Sequence, residues 1–266
     1  NATASRRPAF ITIPENWYTI FNPGNSNESI FEVNWDGNTY SQTGGPSAMY
    51  TTGTNPNYRY STKMGEDLVN DFEEVMAGKD AIRSQFGAFI AYTDGENIVH
   101  CIWKYEMGDT DPTNPDAIRL KDDANWIIYR MADVMLMKAE ALIWKGKENW
   151  QEAVDIINQI RTRANLPEKT IALDEEENYL LPERNIELAA EGKRWYDMIR
   201  YAKSKNYAHK SAFIALVQQY NTTANASWIR SVLQNEYAWY LPIHADEIEN
   251  NNLLVQNPYY GITGNN

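Results

Sequence analysis

Glu183, Glu187 and Glu191, three carboxylates at four-residue spacing, invite a chemical reading in this 266-residue chain. Glycosidic bonds are cleaved by two carboxyls held ~5 to 9.5 Å apart on either side of a sugar, one desolvated enough to keep its proton. A spacing of four on a helix stacks all three groups on one face, which meets the distance but not the two-sided arrangement. Such a face holds together when cations interleave, and Arg184, Arg194 and Arg200 are within reach in sequence. ERNIELAAEGKRWYDMIRYAKS (183–204) therefore reads as a structural ion network rather than a catalytic pair.

Other chemistries find less support. Asp109, Asp111, Asn114 and Asp116 form an oxygen-rich loop that could hold Ca²⁺. A Ca²⁺-binding EF-hand loop needs Gly at its sixth position and Glu at its twelfth, where Asn114 and Leu120 stand, so the loop reads as solvated and acidic. His100, His209 and His244 are too scattered for zinc, and no phosphate-cradling glycine loop or nucleophile elbow is present. No cofactor is expected. Cys101, flanked by Val99, Ile102 and Trp103, reads as a small buried hydrophobe, and a lone cysteine excludes an internal disulfide framework. A net charge of −12 without a Lys/Arg-rich run argues against nucleic acid.

The aromatic content is the surplus that asks for a use. Nine Trp and seventeen Tyr exceed what a helical core of this size requires. Trp17, Trp126, Trp144, Trp150 and Trp195 lie at apolar helical or strand-like positions and are expected in the core, while Trp228 and Trp239 are left unassigned. The segment 35–60 is dense in rings and planar polar groups: Trp35, Asp36, Asn38, Tyr40, Gln42, Tyr50, Asn57, Tyr58, Arg59 and Tyr60. A pyranose offers C–H faces to flat rings and a rim of hydroxyls to amides and carboxylates, so this is the composition of a sugar-binding surface. Trp35, Asp36, Asn38, Tyr40, Tyr50, Tyr58, Arg59 and Tyr60 are the candidate ligand residues. The alternative is a Tyr-rich loop packed on its own body.

The elements that must position these residues fall into two textures: a loop-rich part over 1–118 and a helical part over 119–266, together one body. In the first, SIFEVNW (29–35) and ENIVHCIWKYE (96–106) read as strands and GEDLVNDFEEV (65–75) as a short helix. In the second, 125–145 is apolar on most faces and reads as a helix sandwiched between neighbours, ended by Gly146. Its most apolar window has membrane-span length but carries Arg130, Asp133, Lys138 and Glu140, which a bilayer disfavours. A capping box at Asn149 and Glu152 opens a second amphipathic helix that Asn165 and Pro167 stop, making an αα-hairpin of tetratricopeptide-like size. Pro182 starts and Gly192 stops the next helix, KRWYDMIRYAKS begins another, and the pattern loosens after residue 206. The chain shows neither a signal peptide nor an initiating Met and reads as mature, truncated or a fragment.

Glu183, Arg184, Glu187, Leu188, Glu191, Gly192, Arg194, Trp195, Asp197, Met198 and Arg200, in this order, resemble the signature of the SusD/RagB family of surface nutrient-binding lipoproteins. RMADVMLMKAEAL followed by EAVDIINQIRTRANLP is similar to that family's helical hairpin, NPGNSNESIFEVNW to the segment leading into its binding loops, and YLPIHADEIENNNLLVQNPYYG to its C-terminal segment. His244 and Tyr259 depart from the usual proline and glycine of that last segment. The resemblance implies a mainly α, SusD-like helical scaffold, with a tetratricopeptide-like hairpin and a loop-rich subdomain of short strands. It further implies the C-terminal portion of a longer protein whose first half carries a lipid-anchored cysteine. The implied function is non-catalytic: capture of an oligosaccharide or a peptide on the outward face of an outer membrane for a TonB-dependent, SusC-like transporter. A helical protein-binding adaptor and a glycoside hydrolase are the rival readings.

Overall fold

A short β-branched and aromatic run forms strand β1 (Ser29–Val33), which pairs antiparallel with β4 (Trp126–Arg130), with Ser29 opposite Arg130 and Val33 opposite Trp126. In this computed structural model, residues 7–35, 82–83, 89–94, 97–105, 123–168, 170, 183–221 and 224–261 are described. The helix expected over 65–75, Pro182, the Asp109–Asp116 loop and the side chain of Cys101 lie outside them. A second antiparallel pair joins β2 (Phe89–Asp94) to β3 (Asn97–Ile102), with Phe89 opposite Ile102 and Asp94 opposite Asn97. The chain divides into two compact units, Asn1–Arg194 and Trp195–Asn266; the change of texture near residue 120 falls inside the first.

β4 corrects the expectation of one helix over 125–145. Residues 126–130 are aromatic and β-branched enough to pair with β1, and the helix α1 begins only at Met131 and ends at Lys145. Its N-terminus is held by Glu28, whose carbonyl accepts from Met131 N at 2.9 Å and whose carboxylate accepts from Ala132 N at 3.3 Å, an anion where the helix dipole is positive. After Gly146, at a φ of 136°, helix α2 (Trp150–Arg163) folds back antiparallel to it. The expected hairpin is present. Leu136, Ala139, Leu142 and Ile143 of α1 pack against Trp150, Ala153, Val154, Ile157 and Ile160 of α2.

Two details of the hairpin differ from the sequence reading. Asn149 makes no cap bond; its amide Nδ2 donates instead to Gly146 O and Glu148 Oε1. The outer stripe of α1 is not enclosed, and Val134, Met137 and Trp144 are each nearly 40% exposed. Trp144 is thus corrected from core to surface, because it lies on the face of α1 opposite α2. Asn165, at a φ of 60°, ends α2 in the left-handed conformation as expected, with Leu166 N donating back to Arg161 O at 2.9 Å.

A helical turn over 183–187 leads through Ala190 and Gly192, both at positive φ, into the second unit. There α3 (Arg194–Tyr207) leaves helical geometry at Ser204–Asn206, and two further helices follow, α4 (Lys210–Tyr220) and α5 (Ala226–Leu233). These two replace the loosened pattern expected after residue 206. Asn225 caps α5 by accepting from Ser227 N and Trp228 N. The unit's own core joins Met198, Ile199, Ala202, Phe213, Ile214, Ile229, Leu233 and Trp239. His244, in the place of the usual proline, caps α6 (Ala245–Asn250) by accepting from Asp246 N at Nδ1. Gln256 then pins the segment, its amide exchanging two hydrogen bonds with the backbone of Ile243. Asn257 Nδ2 donates to Tyr237 O and Tyr240 O, so the Gln-Asn-Pro of this segment is a backbone lock.

Candidate functional site

The helical turn 183–187 and the turns after it carry Glu183, Glu187 and Glu191 into the interior of the first unit, where all three are buried. Arg130, at the end of β4, donates through Nη1 to Glu28 Oε1 and Glu187 Oε1, both at 2.7 Å, through Nη2 to Glu191 Oε1 at 2.8 Å, and through Nε to Glu191 Oε2 at 2.8 Å. Arg163, at the end of α2, bridges Glu28 at 3.1 Å and Glu187. Arg83 reaches Glu183 at 2.7 Å and Glu187 at 3.1 Å. Lys104 donates to Glu191 Oε1 at 2.8 Å and to Glu187 O at 2.9 Å, with its ammonium 5.6 Å from the Trp17 ring centroid and 5.1 Å from that of Phe21.

The expectation of an ion network is thus met, with different cations. Arg184 pairs with Asp133 and Arg200 with Asp197, whereas Arg83, Lys104, Arg130 and Arg163 face the glutamates. The partners lie 57 to 135 residues away in sequence for Arg130–Glu187 and Arg163–Glu28, beyond any local spacing rule. Their only sequence signal is a cationic side chain at the end of an otherwise apolar run.

Burial by itself pushes the Glu187 and Glu191 carboxyls up; the cations outweigh it. Arg163, Arg130 and Arg83 hold Glu187 well below the usual carboxylate range, and Arg130 with Lys104 does the same for Glu191. The Arg130 guanidinium is held above its ordinary value by Glu191 and Glu187 against its own burial. Carboxylates buried and paired in this way are held ionised and tie together β4, α2 and the 183–191 segment. Because their folded pKa values are depressed, the stability they confer is present above the unfolded value near 4.3 and is lost as pH falls toward the folded value. Urea midpoints should accordingly hold from pH 7 to about pH 5. Below that, stability should decline by on the order of 1 kcal/mol per pH unit; a midpoint unchanged at pH 3 contradicts this.

Of the candidate ligand residues, Trp35 is described, and Asp36, Asn38, Tyr40, Tyr50, Tyr58, Arg59 and Tyr60 lie outside the described residues. Trp35 is half-buried beyond the end of β1. Its backbone N donates to Asn125 Oδ1 at 3.2 Å, and Asn125 Nδ2 donates to Glu32 Oε2 at 2.8 Å. Glu32 Oε2 also accepts from Asn25 N at 2.8 Å, beside Gly24 at a φ of 82°. A Cβ on Gly24 would stand 2.8 Å from Asn125 Nδ2, so glycine is required for this clamp. The indole Nε1 of Trp35 is buried without a partner among the described residues.

The remaining indoles sort by packing. Trp17, Trp150 and Trp239 are buried, Trp126 and Trp195 are half-buried, and Trp228 is 61% exposed. Among the described residues no helix is long and apolar enough to cross a membrane, and no group of three or more His, Cys, Asp and Glu could hold a metal ion.

Comparison with known proteins places this architecture. The chain is 43% identical over 93 residues to the SusD-like protein P38 of Formosa agariphila, covering 31% of this chain and 18% of that protein. To the SusD-like protein P2 of the same organism it is 33% identical over 152 residues, 53% of this chain and 27% of that one. Among solved structures, a SusD superfamily protein from Bacteroides fragilis superposes with a TM-score of 0.63 at 17% identity, over 96% of this chain and 56% of its own. The surface glycan-binding protein A from Bacteroides uniformis superposes with a TM-score of 0.58 at 20% identity, over 96% and 54%. The chain thus spans about half the length of these solved proteins and a smaller share of the sequence relatives. The mainly α scaffold with its hairpin is the fold of that superfamily. Residues 93–260, well over half the chain, match the SusD family, and the chain belongs to it.

Proposed function

We propose that this chain is the glycan-capturing part of a non-catalytic surface protein, binding an oligosaccharide and passing it to a TonB-dependent, SusC-like transporter at the outward face of an outer membrane. Membership of the SusD family carries the reading, and the likeness to a protein named for surface glycan binding supports it. Trp35, Asp36, Asn38, Tyr40, Tyr50, Tyr58, Arg59 and Tyr60 are the proposed contacts. The clamp through Asn125 and Glu32 fixes the backbone of Trp35, which spares a bound sugar the entropy of ordering it.

Affinity electrophoresis in polysaccharide-containing gels tests this. The unmodified chain should be retarded, and Trp35→Ala with Tyr58→Ala should lose roughly 1–3 kcal/mol, about five-fold to 150-fold in affinity, since each stacked ring contributes about 0.5–1.5 kcal/mol. Prolonged incubation should release no reducing ends; their appearance would end the binding-only reading. A second reading, capture of a peptide or protein segment, draws on one observation, the half-exposed stripe of Val134, Met137 and Trp144 on α1. It gains if no polysaccharide retards the chain and a peptide library yields binders that Met137→Glu rejects.

A further inference from the structure

A cavity of about 440 Å³, open to solvent, lies between the segment around Phe10 and helix α2, with Thr12, Asp155, Gln159, Thr162 and Glu168 exposed along it; its size is within the range of small-ligand pockets. The segment is fixed in place by Ala9 N donating to Asn27 O at 2.8 Å and Ile11 N to Glu28 Oε2 at 3.3 Å. Asp155, Asn158, Gln159 and Thr162 succeed one another at i, i+3, i+4 and i+7, so a single stripe of α2 lines the cavity with a carboxylate, two amides and a hydroxyl. Phe10 adds an aromatic ring, half-buried, with the Arg163 guanidinium carbon 4.6 Å from its centroid.

The charges select among ligands. Arg163 is the cation among the lining residues, and its Nη1 and Nη2 are already committed to Glu28 and Glu187. Its Nε has no exposed surface, so it offers a ligand in this cavity no accessible donor. Asp155 and Glu168 add negative charge to the lining, which repels an anion. Carboxylates accept from hydroxyls, amides both donate and accept, and a ring packs against C–H faces. A neutral polyhydroxylated ring satisfies all of these.

We propose that this cavity is a carbohydrate subsite for a single neutral sugar residue, built from residues other than those of the 35–60 segment. The inference rests on the glycan-binding reading above. Amide chemical-shift titration of the full chain tests it, with glucose, galactose, mannose, xylose and N-acetylglucosamine as probes and glucuronate as the anionic comparison. At least one neutral sugar should shift the amides of residues 10–12 and 155–163 at millimolar concentration, and glucuronate should not. Asp155→Ala with Gln159→Ala, both on the exposed side of α2, should weaken the effect ten-fold or more while the spectrum stays folded. Thr162→Trp should abolish it by filling the cavity, and Trp35→Ala with Tyr58→Ala should leave it unchanged. No shift with any neutral sugar, equal shifts with glucuronate, or shifts that survive Thr162→Trp overturn the subsite. Gel retardation without these shifts sinks the subsite and leaves the loop reading standing; these shifts without retardation do the reverse.

Discussion

Replacing Glu187 by Ala is expected to cost about 3–5 kcal/mol, a large share of the roughly 5–15 kcal/mol that holds a typical domain folded. The side chain is fully buried and accepts from Arg83, Arg130 and Arg163. Its removal leaves three guanidinium groups crowded in the interior with their shared anion gone. Glu28, Glu183 and Glu191 still face those cations, so their desolvation is only partly compensated, which adds to the lost hydrogen bonds themselves. The effect should read as a large drop in the urea midpoint or as failure to accumulate. Glu152, paired with Lys138 at 2.6 Å with both side chains more than half exposed, is the comparison: its Ala variant should lose no more than about 1 kcal/mol. Similar losses for the two variants would show that burial of the cluster has been misjudged.

The second large effect is expected at Trp239. Its ring lies 4.9 Å from Phe213 and 6.0 Å from Tyr207, its Nε1 donates to Leu233 O at 2.9 Å, and its carbonyl accepts from Trp195 Nε1 at 2.8 Å. Trp239→Ala opens an indole-sized void in the core of the second unit and strands the Leu233 carbonyl, for a cost of about 3–5 kcal/mol. Trp228→Ala, at a ring mostly in solvent, should stay within about 0.5 kcal/mol. Urea denaturation followed by near-ultraviolet circular dichroism separates the two. A core role for Trp239 does not survive if both variants unfold at the same midpoint.

Much of the local architecture could be read directly. β1 and β3 follow from short apolar runs, the hairpin from a 3.6-residue repeat broken by Gly146, and the end of α2 from Asn165 taking the left-handed conformation. β4 was misassigned because WIIYR is apolar on every side, and a short run of that kind suits a helix or a strand equally. Its choice is made by β1 as a partner. The helices α4 and α5 are short, eleven and eight residues, and runs such as FIALV suit a helix or a strand equally; their helicity is secured by packing on Trp239 and Ile199 within one cluster.

The candidate site divides the same way. The sequence by itself indicated an ion network around the carboxylates at 183, 187 and 191, and the four-residue spacing holds on the helical turn 183–187; Glu191 lies beyond that turn, where Ala190 and Gly192 take positive φ, and reaches the same cluster through the tertiary fold. The sequence also determined the family, through motifs whose order survives without coordinates. Which cations neutralise those carboxylates, that Trp144 faces solvent while Trp239 is sealed, and that Phe10 meets a polar stripe of α2 were decided by tertiary structure alone. Contacts of this kind join residues far apart in the chain, and only the closing of the fold sets which of many chemically equivalent partners comes within hydrogen-bonding reach.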